Sequence, residues 1–331
     1  MASRLLWFLN LSNPASNLAK SPRVAIEKVS DGQFKVQLSS HLHPNLEESF
    51  PPDLRLKFEA AISQIRLSKG VVVALSAGVD SSLVALLAHK ALGDNAVAVT
   101  GVSESLPPSE LEAAKETAKA IGIKHFVVPT DELENPEYTS NRTDRCYYCK
   151  DTLYRELRTL ADSLGLEAIL DGTQVDDLGD DRPGFRAAQE AGVKSPLLEA
   201  SFSKTDVRES ARLMGLSVWD KPAMPCLSSR ITHGEEVTTD KLGMVGQAEL
   251  YIKELTGVRN LRVRYSNSSA RIEVAPEERK LFYYEAVMDQ IDRALKQLGF
   301  TNVTLDLKGY ARKERTGTVD PLLLPMASLS Q

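Results

Sequence analysis

The sequence predicts an α/β protein in which a doubly wound parallel sheet is followed by a second, smaller α+β domain. Between residues 51 and 220, short apolar runs alternate with longer segments of helical apolar spacing, as repeated strand and helix units require. A proline-rich loop at 221–226 ends this alternation, and two adjacent short strands follow further along the chain. A length of 331 residues corresponds to about two domains.

The strands of the predicted sheet are apolar runs that are too short for helices, at 71–75, 96–101, 125–128 and 168–170. Apolar residues recur at helical spacing around and between these runs, which predicts helices at 53–65, 82–92, 109–121, 150–164, 185–191 and 203–214. For the smaller domain the same patterns predict helices at 240–255 and 276–298, with strands at 260–265, 270–274 and 303–307.

These elements predict four parts of the chain: an N-terminal extension at 1–50, the sheet domain at 51–220, the smaller domain at 221–312 and an irregular tail at 313–331. In the extension, two apolar runs flank a turn signal at 30–32, which predicts a hairpin within 24–40. The first 26 residues contain no Asp or Glu. That composition suits a targeting segment, a solvated tail or a start assigned too far upstream.

The charge balance and the cysteine count exclude several classes of protein. Lys and Arg number 40 against 45 Asp and Glu, and a net charge of −5 gives the chain no global reason to coat nucleic acid. The longest apolar run near the start falls far short of the about 20 residues that a membrane-spanning helix needs. Three cysteines cannot close a disulfide framework. We therefore expect no nucleic-acid partner, no membrane and a reducing, cytoplasmic location.

The segment Ser76-Ala77-Gly78-Val79-Asp80-Ser81-Ser82 lies directly between an apolar strand and a helix. A loop of small residues at a helix N-terminus presents N–H groups and the positive end of the helix dipole to an anion, so it predicts a phosphate site. The segment lacks the Walker pattern. It resembles the pyrophosphate loop of the ATP-pyrophosphatase superfamily, with Ala77 in the place of a glycine. That resemblance implies ATP as cosubstrate, cleaved between its α and β phosphates.

A second polar loop, Asp171-Gly172-Thr173-Gln174-Val175-Asp176-Asp177, follows the last strand of the predicted sheet. The carboxyl ends of the strands in a doubly wound sheet meet at the edge where ligands bind, so we expect Asp171, Gly172 and Thr173 at the ATP site. Asp176 and Asp177 have the carboxylate oxygens that Mg²⁺ takes, and a capped, solvated loop is the alternative interpretation.

The three cysteines fall in two places. Cys146 and Cys149 form a Cys-x-x-Cys pair directly before a predicted helix, and Cys226 lies in the proline-rich loop, so all three are expected in loops. The helix start and the basic neighbours predict a lowered pKa for the Cys149 thiol. A zinc site would need a fourth ligand such as His233. Three thiolates alone can hold a 4Fe-4S cluster with one iron open, and unligated thiols are the third alternative.

Further motifs occur in order after the pyrophosphate loop, at 141–150, 170–173, 182–184, 195–197, 221–223 and 226–231. Together they resemble the LarE family over roughly residues 50 to 312. The resemblance implies an ATP-dependent sulfur transferase that builds the nickel-pincer nucleotide. Its small-molecule substrate would be pyridinium-3,5-biscarboxylic acid mononucleotide, whose carboxylates become thiocarboxylates after adenylation.

The resemblance also implies residue roles. Cys226 is the sulfur-bearing position, and some members surrender the sulfur of this cysteine alone. Others resemble enzymes in which a 4Fe-4S cluster on Cys146, Cys149 and Cys226 carries sulfide from a donor, and this sequence looks like the second kind. The implied substrate-binding residues are Arg262, Arg264, Glu273 and Arg230. An exposed strand face would give the same Arg-x-Arg spacing. Relatives in the family suggest a homo-oligomer.

Other functions share parts of this pattern. Some tRNA-thiolating enzymes also combine a pyrophosphate loop with three cysteines, but the net acidity and the lack of a Lys/Arg-rich stretch argue against RNA binding. A non-catalytic, nucleotide-gated iron-sulfur sensor would bind ATP without releasing pyrophosphate. An amidating ligase would need none of the cysteines. The order of the motifs favours the sulfur transferase.

Overall fold

A computed structural model describes residues 25–29, 33–37, 50–178 and 183–310. The chain divides into two compact units, with the boundary after Pro44. In the first unit, β1 (Ala25–Val29) and β2 (Gln33–Gln37) pair antiparallel, which confirms the predicted hairpin. The segment preceding residue 25 and the tail predicted at 313–331 lie outside the described residues.

The second unit contains the predicted parallel sheet. Its strands are β3 (Val71–Ala74), β4 (Ala96–Val102), β5 (Lys124–Pro129) and β6 (Ala168–Leu170). They lie in the order β5-β4-β3-β6, and every neighbouring pair is parallel. The chain thus proceeds outward from β3 to β5 and returns to the other side of β3, which leaves a crevice at the carboxyl ends of β3 and β6.

Helices cover both faces of this sheet, as predicted for a doubly wound fold. They are α1 (Pro52–Ile65), α2 (Val79–Leu92), α3 (Pro108–Ile121), α4 (Pro136–Thr139), α5 (Arg145–Leu164), α6 (Pro183–Glu190), α7 (Pro196–Glu199) and α8 (Lys204–Leu213). Val71 and Val73 pack with α1, α2, α3 and α8, while Val72 packs with α5 and α6 on the opposite face. This alternation follows the two-residue period of a strand whose faces are both buried.

A three-stranded sheet and two long helices form the smaller α+β part. Its elements are α9 (Thr239–Thr256), β7 (Leu261–Ser266), β8 (Ser269–Val274), α10 (Glu285–Gln297) and β9 (Asn302–Leu305). Strand β8 pairs antiparallel with β7 and parallel with β9. The apolar core of this part also includes Tyr138, and the partly buried Cys149 packs against it. Both residues precede residue 220. The division at 220–221 therefore stays a prediction.

Two predicted elements are wrong in their bounds. The helix predicted at 150–164 begins at Arg145, so its first two turns include Cys146 and Cys149. The helix predicted at 276–298 is broken into a 3₁₀ turn, Pro276–Phe282, and α10. The tight turn buries Phe282 in the core, and the chain then becomes extended at Tyr284 (φ −101°, ψ 123°) before α10 begins. Of the helices in the described ranges, none has the length and apolarity to cross a membrane.

A buried ion pair joins α9 to the loop that precedes it. Arg230 Nε donates to Glu249 Oε1 at 2.8 Å and Nη2 donates to Glu249 Oε2 at 3.2 Å. The same Oε1 accepts the backbone N–H of Val263 on β7 at 3.0 Å. One carboxylate therefore connects a helix, a strand and the chain around Arg230.

We predict that Glu249→Ala lowers the free energy of unfolding by about 3–5 kcal/mol, because it leaves the Arg230 guanidinium buried without its partner. Urea unfolding followed by circular dichroism measures the change. The exposed Glu254 of the same helix provides the control, and Glu254→Ala should shift stability by only about 0.5 kcal/mol or less. Similar losses in both variants would contradict the importance of the pair.

Candidate active site

The loop at 76–82 turns the chain from β3 into α2 and closes on its own hydroxyls. The backbone N–H of Ser76 donates to Ser81 Oγ at 3.1 Å, and the Ser82 hydroxyl donates to the Gly78 carbonyl at 2.8 Å. These bonds hold the loop around the N-terminus of a 14-residue helix, where backbone N–H groups and the helix dipole favour an anion. The structure therefore has the loop geometry that the sequence predicts for a phosphate site.

Ala77 adopts the left-handed conformation that a glycine would adopt more readily. Its φ is +55°, and the residue is fully buried among apolar side chains. For a residue with a Cβ this conformation costs about 1–2 kcal/mol. Alanine in place of the usual glycine thus leaves the path of the loop intact, and the only cost is the conformational strain at residue 77.

Two lysines hold this loop: Lys204, which the sequence analysis did not single out, and Lys221, which it placed in the 221–223 motif without a role. Lys204, at the start of α8, donates to both carboxylate oxygens of Asp80, at 2.7 and 2.5 Å. Burial raises the pKa of Asp80, and the charge of Lys204 opposes that rise. Lys221 Nζ donates to the Ala77 carbonyl at 3.1 Å and to Glu110 at 2.8 Å. In the sequence, Lys204 could be recognised only as part of a helix-capping pattern and not as a residue of the site.

The loop after β6 lies against the start of α2. Asp171 is buried, and its oxygens accept bonds from the Thr173 backbone and hydroxyl, from Ser195 Oγ at 2.7 Å and from the Tyr154 hydroxyl at 3.3 Å. A methyl group at Gly172 would lie 2.7 Å from the Ser81 backbone nitrogen. The absence of a side chain at 172 therefore allows the two loops to touch.

The predicted acidic pair lies on the same side of the site. Asp176 accepts the backbone N–H of Lys204 at 2.6 Å, and Asp177 accepts that of Gln174 at 3.2 Å. Asp177 lines a cavity of about 830 Å³ at the carboxyl ends of the strands, which we call the strand-edge cavity. Other lining residues of this cavity are Ser76, Asp80, Ser81, Asp171, Gly172, Thr173 and Phe185. The structure thus brings both predicted loops to one cavity.

All three cysteines line a second cavity, of about 630 Å³, which we call the thiol cavity. It shares Ser76, Asp80, Cys146 and Lys150 with the strand-edge cavity, so the two adjoin. Its wall carries five basic and three acidic side chains: Arg145, Lys150, Lys204, Arg208, Lys221, Asp80, Glu110 and Glu132. The pyrophosphate-type loop and the thiols therefore face a common space.

The cysteine environments differ from two sequence expectations. Cys146 and Cys149 lie in the first two turns of α5 and not in a loop. Burial raises the pKa of the Cys149 thiol to about 12, with further contributions from Cys226 and Glu132, so the predicted lowering is wrong. The helix dipole and the nearby Lys150 are outweighed by the loss of solvent. His233, the suggested fourth zinc ligand, contacts the Asn141 carbonyl at 3.2 Å and is not part of the thiol-cavity wall.

Arginines from three elements bind the backbone of the segment around Cys226. Arg230 Nη1 donates to the carbonyls of Pro225 and Cys226, at 2.7 and 3.2 Å. Arg262 donates to the Ala223 carbonyl at 2.9 Å, and Arg264 to the Ser229 carbonyl at 2.8 Å. Arg145 donates to the Ser228 carbonyl at 2.9 Å from the start of α5. The cysteine segment is therefore fixed by guanidinium groups.

The predicted substrate residues lie behind the wall of the thiol cavity and not among its lining residues. Arg264 also pairs with Glu273 at 2.9 Å, and Glu273 pairs with Arg271 at 2.8 Å. Arg262 is buried beside the Tyr310 ring, 5.0 Å from its centroid, and burial lowers its pKa. Contact of Arg230, Arg262, Arg264 or Glu273 with substrate stays a prediction.

Comparison with known proteins agrees with this geometry. The NAD synthase family model matches residues 56–144, the range that contains β3, the loop and α2. The chain is 49% identical over 239 residues to an uncharacterised protein of Synechocystis sp., covering 72% of this chain and 89% of that protein. It is 38% identical over 258 residues to the pyridinium-3,5-bisthiocarboxylic acid mononucleotide synthase of Lactiplantibacillus plantarum, covering 78% of this chain and 92% of that enzyme.

The parallel sheet, the loop after its central strand and the NAD synthase match define an ATP-using protein of the pyrophosphate-loop class. Within this class, the extent of the match to the L. plantarum enzyme is decisive. The chain belongs to the LarE family.

We predict that Gly172→Ala weakens ATP binding by about tenfold or more, because the new methyl displaces the start of α2 and the phosphate-binding N–H groups with it. Isothermal titration with ATP measures the effect. Gly243→Ala is the matched control, since the nearest atom to its added methyl lies 4.0 Å away. ATP affinity equal to the wild type in Gly172→Ala would show that the contact between the two loops does not position the ligand.

Proposed function

We propose that this protein is an ATP-dependent sulfur transferase of nickel-pincer nucleotide biosynthesis. It would convert the carboxylates of pyridinium-3,5-biscarboxylic acid mononucleotide into thiocarboxylates. The observation that carries the proposal is that the loop residues Ser76, Gly78 and Asp80 line one cavity with all three cysteines. An amidating ligase needs no thiols there, and an iron-sulfur sensor would bind ATP without releasing pyrophosphate. The name of the L. plantarum relative, a bisthiocarboxylic acid mononucleotide synthase, supports the same chemistry.

The first half of the reaction makes the carboxylate reactive. A substrate carboxylate oxygen attacks the α-phosphorus of ATP, the bond from that phosphorus to the bridging oxygen breaks, and pyrophosphate leaves. The N–H groups of the loop and α2 would hold the phosphates, and Lys204 and Lys221 would balance the charge of the pyrophosphate. Mg²⁺ usually takes one or two carboxylates together with phosphate oxygens, and Asp176 and Asp177 are the proposed ligands.

The second half transfers sulfur. A sulfur nucleophile attacks the carbonyl carbon of the acyl adenylate, and the bond from that carbon to the AMP oxygen breaks. Free carboxylate would not react in this way, because its oxygen is a poor leaving group. Cys226 is the proposed sulfur-bearing position, and the guanidinium contacts of its flanking carbonyls would fix the thiol toward the cavity.

The three thiols have the donor chemistry of a 4Fe-4S cluster and share one cavity, which fits the cluster type of the family. Among the described residues, however, no three His, Cys, Asp or Glu side chains are gathered as a metal site. Cys146, Cys149 and Cys226 would therefore have to move together and lose their protons when the cluster binds. When bound, the cluster would supply an open iron for sulfide.

The proposal has consequences beyond the site. It requires an external sulfide donor, and a reducing cytoplasm would keep the three cysteines as thiols. It divides the work at 220–221: the parallel-sheet part binds ATP, and the smaller part contributes Cys226 and the predicted substrate residues Arg230, Arg262, Arg264 and Glu273. We also propose a homo-oligomer, as in related members of the family.

We predict that wild-type protein releases pyrophosphate from ATP only when the biscarboxylic acid mononucleotide is present, because the attacking oxygen belongs to that substrate. Asp80→Ala and Ser81→Ala should abolish the release while leaving the unfolding midpoint unchanged. A coupled pyrophosphatase assay measures it. Asp94→Ala, an exposed aspartate beyond the other end of α2, is the control and should retain activity. Normal release in both loop variants would sink the assignment.

A second prediction concerns the sulfur source. Protein reconstituted with iron and supplied with sulfide should absorb broadly at the blue end of the spectrum, complete several turnovers per chain and keep Cys226 at its original mass. Cys146→Ala and Cys149→Ala should lose the colour and the multiple turnover. If both variants stay fully active while the wild type stops after one turnover with dehydroalanine at 226, then Cys226 is a sacrificial donor. Colourless protein with stoichiometric zinc would also rule out the cluster.

A further inference from the structure

Glu132 is a buried acid in the wall of the thiol cavity. It begins the 3₁₀ turn Glu132–Glu134 that follows β5, and its residue is 3% exposed. The hydroxyls of Ser103 and Ser105 donate to its Oε1, at 2.5 and 3.0 Å. Its Oε2 is sealed from solvent and has no hydrogen-bond partner in the part of the chain that the structure describes. One carboxylate oxygen is thus left without a partner beside the cysteines.

The other two acids of this cavity have cationic partners. Asp80 pairs with Lys204 and Glu110 pairs with Lys221. No Lys, Arg or His within the described ranges lies within ion-pair distance of Glu132. A buried carboxylate without a cation costs several kcal/mol, so a protein gains nothing in stability by keeping one. Its charge acts across the cavity: after burial and Cys226, it is a further cause of the raised pKa of Cys149.

The same cavity is also lined by a buried cation that has no carboxylate partner among the described residues, Arg145. Arg145 donates to the Asn141 side chain and to the Ser228 carbonyl, both of which are uncharged. Among the described residues no carboxylate lies within 4.0 Å of its guanidinium group. Arg145 and Glu132 line one cavity without forming an ion pair with each other. Among the described residues, the wall therefore holds three cations without a carboxylate partner, Arg145, Lys150 and Arg208, and one carboxylate without a cation, Glu132.

We infer that Glu132 and Arg145 are the two poles of a binding site for a ligand with both a cationic ring and an acid group: the charge of Glu132 attracts the ring from within the cavity wall, and Arg145 binds the acid. This inference rests on the proposed function, because the pyridinium dicarboxylate has this charge pattern. An Arg guanidinium matches the planar geometry of a carboxylate, and the phosphate-binding loop that lines the same cavity would hold ATP near that carboxylate.

A ring cation suits Glu132 better than a metal ion does. The quaternary nitrogen of a pyridinium ring carries no N–H, so it asks for a nearby negative charge and not for a hydrogen bond or a coordination geometry. Oε1 is already committed to two hydroxyls. The described residues also gather no group of three metal-ligand side chains around Glu132. What the site provides is a fixed charge.

The test compares two ligands that differ only in ring charge: the pyridinium-3,5-biscarboxylic acid mononucleotide and the analogue in which carbon replaces the ring nitrogen. Wild-type protein should bind the cationic ligand at least about tenfold more tightly. Glu132→Gln should remove this preference by weakening the cationic ligand alone. Glu134→Gln, an exposed glutamate on the same turn, should retain it. Arg145→Lys should weaken both ligands equally, since both carry the acid groups.

The outcomes separate this inference from the proposed function. If the wild type binds both ligands equally, the inference is wrong and the sulfur transferase proposal stands; this comparison needs no variant and holds even if Glu132→Gln does not fold. If Glu132→Gln weakens both ligands equally, or changes bound Mg²⁺, Fe²⁺ or Zn²⁺ measured by mass spectrometry, Glu132 is not the counter-charge of the ring. If the wild type binds neither ligand, the proposed function fails and the inference fails with it.

Discussion

The parallel pairing of β3 with β6 is the constraint on which the rest of the site depends. It places the carboxyl ends of two strands side by side, so the loop at 76–82 and the loop after Leu170 must share a small space. They fit because residue 172 has no side chain, which allows its backbone to approach that of Ser81. Asp171 is then used to hold its own loop, and the N–H groups of α2 remain free to face an anion.

Hydrogen bonds to backbone carbonyls connect the part of the chain that carries these two loops to the segment around Cys226. Arg145 begins the helix of the Cys-x-x-Cys pair and also binds the Ser228 carbonyl, so it fixes one cysteine element relative to the other. Arg230, Arg262 and Arg264 fix the same segment from the smaller part of the fold. Donors of this kind satisfy carbonyls that would otherwise be buried without partners. The position of Cys226 is therefore a property of both parts of the chain together.

The sequence was sufficient for the elements whose signal is local. The strand bounds at 168–170 are identical in prediction and structure, and the phosphate-type loop lies between strand and helix as expected. Failures arose where tertiary burial decides. The thiol of Cys149 is buried near the start of α5, and this loss of solvent cannot be read from its neighbours in sequence. Lys204 is important because it pairs with a residue far away along the chain, and Glu132 because one of its oxygens has no partner in the part of the chain that the structure describes. Neither residue belongs to a recognisable sequence motif. Arg262 was predicted to bind substrate, with an exposed strand face as the alternative, and the residue is buried.

The burial of Cys149 bears on how the protein withstands oxygen. Peroxide attacks the thiolate, and a thiol with a pKa of about 12 is almost wholly protonated at neutral pH. Cys146, three residues earlier, is exposed. In the protein without a bound cluster, peroxide therefore reaches the outer cysteine, Cys146, more readily than the buried Cys149. Sulfenic acid formed at that outer sulfur is reversible by a reductant, whereas further oxidation to the sulfonic acid is not.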